Sequence, residues 1–104
     1  MKEEQKITAR IIIEILGAPK DHVEKTMKLV LGKVKEQKYL KLLNEKTFEA
    51  KQIKKFWSTF SEIEISVENI SNLIGFCFDF MPSSIEILEP ENFGVEAAEI
   101  ANLL

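Results

Sequence analysis

Residues 6–16, KITARIIIEIL, alternate between two sets of side chains. Ile7, Ala9, Ile11, Ile13 and Ile15 fall on one side; Thr8, Arg10, Ile12, Glu14 and Leu16 fall on the other. A period of two in a run rich in β-branched residues predicts a strand with one buried face. Such a strand cannot stand alone. Its isoleucine side must be covered, and a sheet covered on one face by helices is the simplest way to do it.

The rest of the chain supplies the cover. Gly17 breaks the strand, and Pro19 suits the first turn of a helix. Val23, Met27, Val30, Leu31 and Val34 then recur at helical spacing to about Gln37. Tyr39 to Phe48 reads as a second strand, although "NEKT" within it also suits a turn. Residues 49–57, EAKQIKKFW, fit either a short helix or a connecting loop. Ser58 to Ser66 predicts a third strand, with Ile63 and Ile65 alternating with Glu62 and Glu64. Ser84 to Glu89 predicts a fourth, with Ile85 and Ile87 on its apolar side.

Between the last two strands lies GFCFDFMPSS, Gly75 to Ser84, whose F-x-F-x-F pattern imitates a strand. At 100° per residue, Ile70, Leu73, Ile74, Cys77, Phe78, Phe80 and Met81 instead share one broad helical face, with Phe76 on its flank. Ser66 is the expected N-cap, and Pro82 follows the end. Cys77 and Phe80 are expected to pack on the sheet near Val30 or Ile13. The order β-α-β-β-α-β is the ferredoxin-like pattern: an α+β two-layer sandwich of a four-stranded antiparallel sheet with two helices on one face. An extra C-terminal helix occupies residues 88–104, with Phe93, Ala97, Ile100, Ala101 and Leu104 along one side. All 104 residues form one domain.

Composition narrows the function classes. The net charge of −3 argues against a phosphate-backbone binder, which needs a clustered positive face. No apolar run approaches the ~18 residues of a membrane span. One cysteine cannot form an internal disulfide, and the charged start MKEEQK is unlike a signal peptide; both fit a cytoplasmic protein. The charges are almost all Lys and Glu, a thermophile-like balance, though 13 isoleucines fit an AT-rich genome equally.

Three places could carry chemistry. Cys77 lies on the apolar face of its helix with no C-x-x-C and no implied histidine beside it, so it reads as a small core residue. Gly17, Lys20 and His22 surround the start of the first helix, where backbone N–H groups can receive an anion. That loop lacks the glycine run of a phosphate cradle, and Asp21 and Glu24 already suit the dipole. The open side of the sheet is the third place. With strand order 4-1-3-2, Arg10 and Glu14 share a surface with Glu62, Glu64 and Glu86, beside Ile12 and Leu88. Paired carboxylates can bind a cation or move protons. With no histidine to support them, a solvated or partner-covered face with Arg10 paired to a glutamate is the simpler reading. An RNA-reading sheet would expose aromatics and basic residues at Thr8, Arg10, Ile12, Glu62 and Glu64, and the sign here is wrong. An acylphosphatase-like site would need an arginine in the first loop, and LGAPKDH has none.

The expectation is a non-enzymatic domain without cofactor or metal that works through self-association, as a homodimer or with a protein partner, and binds neither nucleic acid nor membrane. The stripe Phe93, Ala97, Ile100, Ala101 and Leu104 and the open sheet are its expected interfaces; the stripe needs a surface to cover it, either the chain's own open sheet around Ile12, Leu16 and Leu88 or the same region of a second copy. The alternative is a small-ligand regulatory module of the ACT type, which shares only the topology, with its site at Gly17, Lys20 and His22.

Overall fold

The computed structural model describes residues 6–90. In chain order they form β1 (Ile7–Gly17), α1 (Lys20–Glu36), β2 (Leu40–Thr47), β3 (Lys51–Ile53), β4 (Phe56–Val67), α2 (Ile70–Phe80) and β5 (Ser84–Glu89). The class is α+β, an antiparallel sheet with two helices. β1 sits between β4 and β5, and β2 pairs with the other side of β4.

The sheet has five strands where four were expected, and the ladders show why. β2 pairs with Ser61–Val67 of β4, and β3 pairs with Phe56–Ser58 of the same strand. The opposite side of that second stretch is taken by Leu16 and Gly17 of β1. β3 therefore continues the edge begun by β2, and the sheet has four lateral positions. Of residues 49–57, read as a short helix or a loop, only Glu49 and Ala50 are loop; the rest are β3, a two-residue turn at Lys54–Lys55, and the start of β4. Lys54 adopts φ 57°, a conformation usually given to Gly, Asn or Asp, so the turn carries no sequence signature.

The break between β2 and β3 is stitched to its surroundings. The Phe48 N–H donates to the Phe60 carbonyl at 3.0 Å. The Phe48 carbonyl accepts from Thr59 Oγ1 at 2.6 Å, and the Thr47 and Ser61 hydroxyls meet at 2.7 Å. Thr59 and Ser61 lie at buried inward positions, so these bonds are what make polar residues tolerable there.

Ile7, Ala9, Ile11 and Ile13 of β1 and Ile63, Ile65 and Val67 of β4 form the floor of the core. Met27, Leu31 and Val34 of α1 and Leu73, Phe76 and Cys77 of α2 pack on it. Both helices thus cover the same face. Full burial of each such side chain contributes ~1.5–3 kcal/mol relative to exposure, so this one cluster accounts for most of the apolar driving force.

The rotation of α2 differs from expectation. Phe76, placed on the flank, is fully buried, whereas Phe78 is 69% and Met81 80% exposed. Relative to Leu73, Phe76 lies ~60° away and Phe78 ~140° away at 100° per residue, so the face drawn earlier was too wide. Cys77 is buried, and Phe80 is partly buried against the same cluster as Ile13. The N-cap is Asn69, whose Oδ1 accepts from the Asn72 N–H at 2.9 Å, because β4 runs on through the expected cap Ser66 to Val67. Met81 ends the helix in the left-handed region. The fourth strand, Ser84–Glu89, is β5 as expected, so Leu88 and Glu89, which the expected C-terminal extension also claimed, belong to the sheet. The remainder of that helix, with Phe93, Ala97, Ile100, Ala101 and Leu104, lies outside the described residues.

Candidate functional site

Successive side chains of a strand point to opposite faces, so the residues of β1 that do not enter the core form the outer face. Arg10 sits near its centre. Glu64 of β4 and Glu86 of β5 are its direct cross-strand neighbours, and Glu62 lies two residues along β4. Arg10 Nη1 donates to Glu86 Oε1 at 3.0 Å; Nε lies 3.4 Å from Glu62 Oε2 and Nη2 3.6 Å from Glu64 Oε2. One guanidinium among three carboxylates leaves a local charge of −2. Its donors are turned to those carboxylates, so the cluster is poorly disposed to capture an anion. Glu14, grouped with these residues from the sequence, instead accepts from Ser58 Oγ at 2.9 Å. Among the described residues, no group of His, Cys, Asp or Glu is spaced to hold a metal ion.

Toward the other end of this face the chemistry changes. Phe60, Phe56, Ile53 and Leu16 are 38%, 45%, 51% and 62% exposed. Register places them together: Ile53 is opposite Phe56, and Leu16 is opposite Ser58, between Phe56 and Phe60 on β4. Phe48 stacks on Phe60 with ring centroids 4.5 Å apart, and Lys46 Nζ lies 4.9 Å from the centre of the Phe48 ring. Sequence reading places Leu16 on this face but misses Phe48, Ile53, Phe56 and Phe60 beside it. The signal was available in the parity of Phe60 with Glu62 and Glu64, but Phe48, Ile53 and Phe56 join it only through the β3 hairpin.

The predicted ligand loop resolves differently for each residue. Gly17 is paired in the sheet opposite Trp57. Lys20 Nζ bonds Glu49 Oε2 at 3.1 Å and lies 5.4 Å from the centre of the Trp57 ring. The hydrogen bond to Glu49, and then its charge, hold the Lys20 amine above its ordinary value of 10.5. His22 is exposed and lends only its carbonyl, to Thr26 Oγ1 at 2.7 Å. Close by, an open groove of about 600 Å³ runs between α1 and the β2–β3 break. Met27, Leu31 and Phe48 contribute its apolar lining. Most of its charges are already engaged: Lys35 with Glu45 at 2.8 Å, Glu49 with Lys20, and Glu24 with the Ala50 N–H at 3.4 Å.

Cys77 and Tyr39 are the remaining unusual groups. Burial raises the Cys77 thiol above its ordinary 9.0. Burial also raises Tyr39 above 10.0, with Asp79 and then Cys77 adding to it, and the Tyr39 hydroxyl has no hydrogen-bond partner among the described residues. Each of these groups, like Lys20, holds its proton more tightly in the folded chain than in the unfolded one. Stability should therefore be independent of their titration below about pH 8, then fall as pH rises from the ordinary values of 9.0, 10.0 and 10.5 through the raised values of the folded chain. In the same way, Cys77 should react with a thiol reagent at pH 8 at least 100-fold more slowly in the native than in the urea-unfolded protein. Denaturation midpoints across pH 7–11 and stopped-flow thiol titration measure the two effects; rapid native labelling would place Cys77 outside the core.

Residues 8–104 match the model of the MJ0538 family. The chain belongs to that family. It is 33% identical over 94 residues to the uncharacterized protein MJ0538 of Methanocaldococcus jannaschii, a match covering 88% of this chain and 35% of that protein. The chain thus spans about a third of the length of the curated relative it matches. No solved structure matches. Neither the family nor the relative carries a stated activity. Among the described residues, no helix is long and apolar enough to cross a membrane.

Proposed function

We propose that the chain is a non-enzymatic, ferredoxin-like association domain whose working surface is the outer face of its sheet. The ferredoxin-like reading is supported by the lateral order β5-β1-β4-β2, with β3 prolonging the β2 edge, and by two helices on one face. The observation that carries the association reading is the grouping of Leu16, Ile53, Phe56 and Phe60 on a face that no described element covers. Contiguous apolar surface of this kind marks interaction sites on soluble proteins. The adjoining ion cluster supplies a polar rim, the usual anatomy of a protein interface.

A photo-crosslinking phenylalanine analogue at position 60 tests this in the native host. Crosslinks to protein are expected from position 60 and not from position 29, where Leu29 is 66% exposed on α1. An inert position 60 would remove the outer face as a working surface.

The groove beside α1 favours a second reading, a small-ligand module of the ACT type. It predicts a melting-temperature rise with an amino acid or nucleotide that is lost on Lys28→Glu, a groove-lining change remote from the outer face.

A further inference from the structure

We infer that the outer face docks on a second copy of this chain, about a two-fold axis lying in the interface and running along the strands. The inference rests on the reading that this face is the working surface, and it names the partner and the symmetry.

The argument is the distribution of charge and apolar surface over the four lateral positions. On the β2–β3 edge, Lys41 is opposite Ser66, Lys46 opposite Glu62 and Lys51 opposite Ser58, so all three belong to the outer face. All three are exposed, and none has a carboxylate within ion-pair distance among the described residues. On the other edge, β5 places Glu86 opposite Arg10 and Glu89 opposite Thr8 on the same face. The face is therefore basic along one edge and acidic along the other. Across this gradient, the apolar residues gather at one end of the strands.

A closed dimer needs a self-complementary patch. Two in-plane axes are available when two such faces stack. An axis across the strands would set lysine edge on lysine edge and lay each apolar end on the other copy's glutamates. An axis along the strands reverses left and right but keeps the ends together. It lays Lys41 and Lys46 of each copy toward Glu86 and Glu89 of the other, twice by symmetry, and apposes the two groups of Leu16, Phe56 and Phe60. Only the second operation satisfies both patterns. The dimensions are adequate: four positions at ~4.8 Å and up to twelve residues at ~3.3 Å give a plane of at most roughly 760 Å² before side-chain relief. A standard interface takes ~800 Å² from each partner.

The test is a pair of charge-reversed variants of the full chain, K41E/K46E and E86K/E89K, weighed by light scattering at 5–100 µM in about 50 mM salt. The wild type should have the mass of two chains. Each variant alone sets like charges against each other and should dissociate with a dissociation constant raised at least tenfold. An equimolar mixture of the two should return to the mass of two chains, because both edges are then complementary. Circular dichroism and melting temperature establish that each variant is folded, and F56S/F60S, which leaves the charges untouched, should also be monomeric. A wild type with the mass of one chain at every concentration overturns the inference, as does a dimer indifferent to these changes or a mixture that fails to reassociate. A monomer that still crosslinks to another protein from position 60 overturns the two-fold dimer alone. A monomer inert at position 60 removes the underlying reading as well.

Discussion

Replacing Phe76 by alanine should lower the unfolding free energy by ~3–5 kcal/mol, read as a fall in denaturant midpoint at unchanged slope. Phe76 has no exposed surface, its ring lies 4.8 Å from that of Phe80, and it belongs to the cluster holding α2 against the sheet. Removing the ring forfeits its burial and leaves a cavity that rigid neighbours fill only in part. The paired measurement is Phe78→Ala, two residues away in the same F-x-F-x-F run. Phe78 is 69% exposed, so its loss should change stability by no more than ~0.5 kcal/mol. Equal costs for the two, or the reverse order, would mean that α2 is rotated differently on the sheet.

Replacing Arg10 by methionine should cost ~1–2 kcal/mol at low ionic strength and less than about half of that in 1 M salt. Among the described residues, Arg10 is the cation within ion-pair distance of Glu62, Glu64 and Glu86, with contacts of 3.4, 3.6 and 3.0 Å. Each pair is substantially exposed, so each alone contributes little. The larger effect comes from leaving three neighbouring carboxylates without the one cation in ion-pair contact with them. Methionine keeps much of the aliphatic stem and so isolates the charge. A loss that does not respond to salt would assign the contribution of Arg10 to packing of its stem instead.

The two predictions differ in how far the sequence places their residues: Arg10 falls where alternation puts it, whereas Phe76 is buried where helical spacing puts it on the flank. The alternation of residues 6–16 sufficed to set Arg10 on the face opposite the isoleucines, and the alternation around Ile63 and Ile65 set Glu62 and Glu64 on a common face. Helical spacing placed Met27, Leu31, Val34, Leu73 and Cys77 inward, all of them buried. These readings are local, because a side chain's direction depends on its own backbone period. The apolar end of the outer face was not legible for the opposite reason. Its members Leu16, Ile53, Phe56 and Phe60 come from three strands, and Ile53–Lys54–Lys55–Phe56 turns without a Gly, Asn or Asp to announce it.

The sequence by itself determined the alternation of the longer strands and the helices, the buried face of β1 and the buried position of Cys77. Tertiary structure alone decided that β3 extends the edge of β2, that Lys20 turns to Glu49, and which side of α2 faces the sheet. It also decided that lysines line one edge of the outer face and glutamates the other. The division has a physical origin. Periodicity is set by covalent geometry within one segment, whereas register, helix rotation and the neighbours of a charge are set by which segments pack together. That packing is a balance of burial and hydrogen bonding over the whole chain, visible only once the chain has closed on itself.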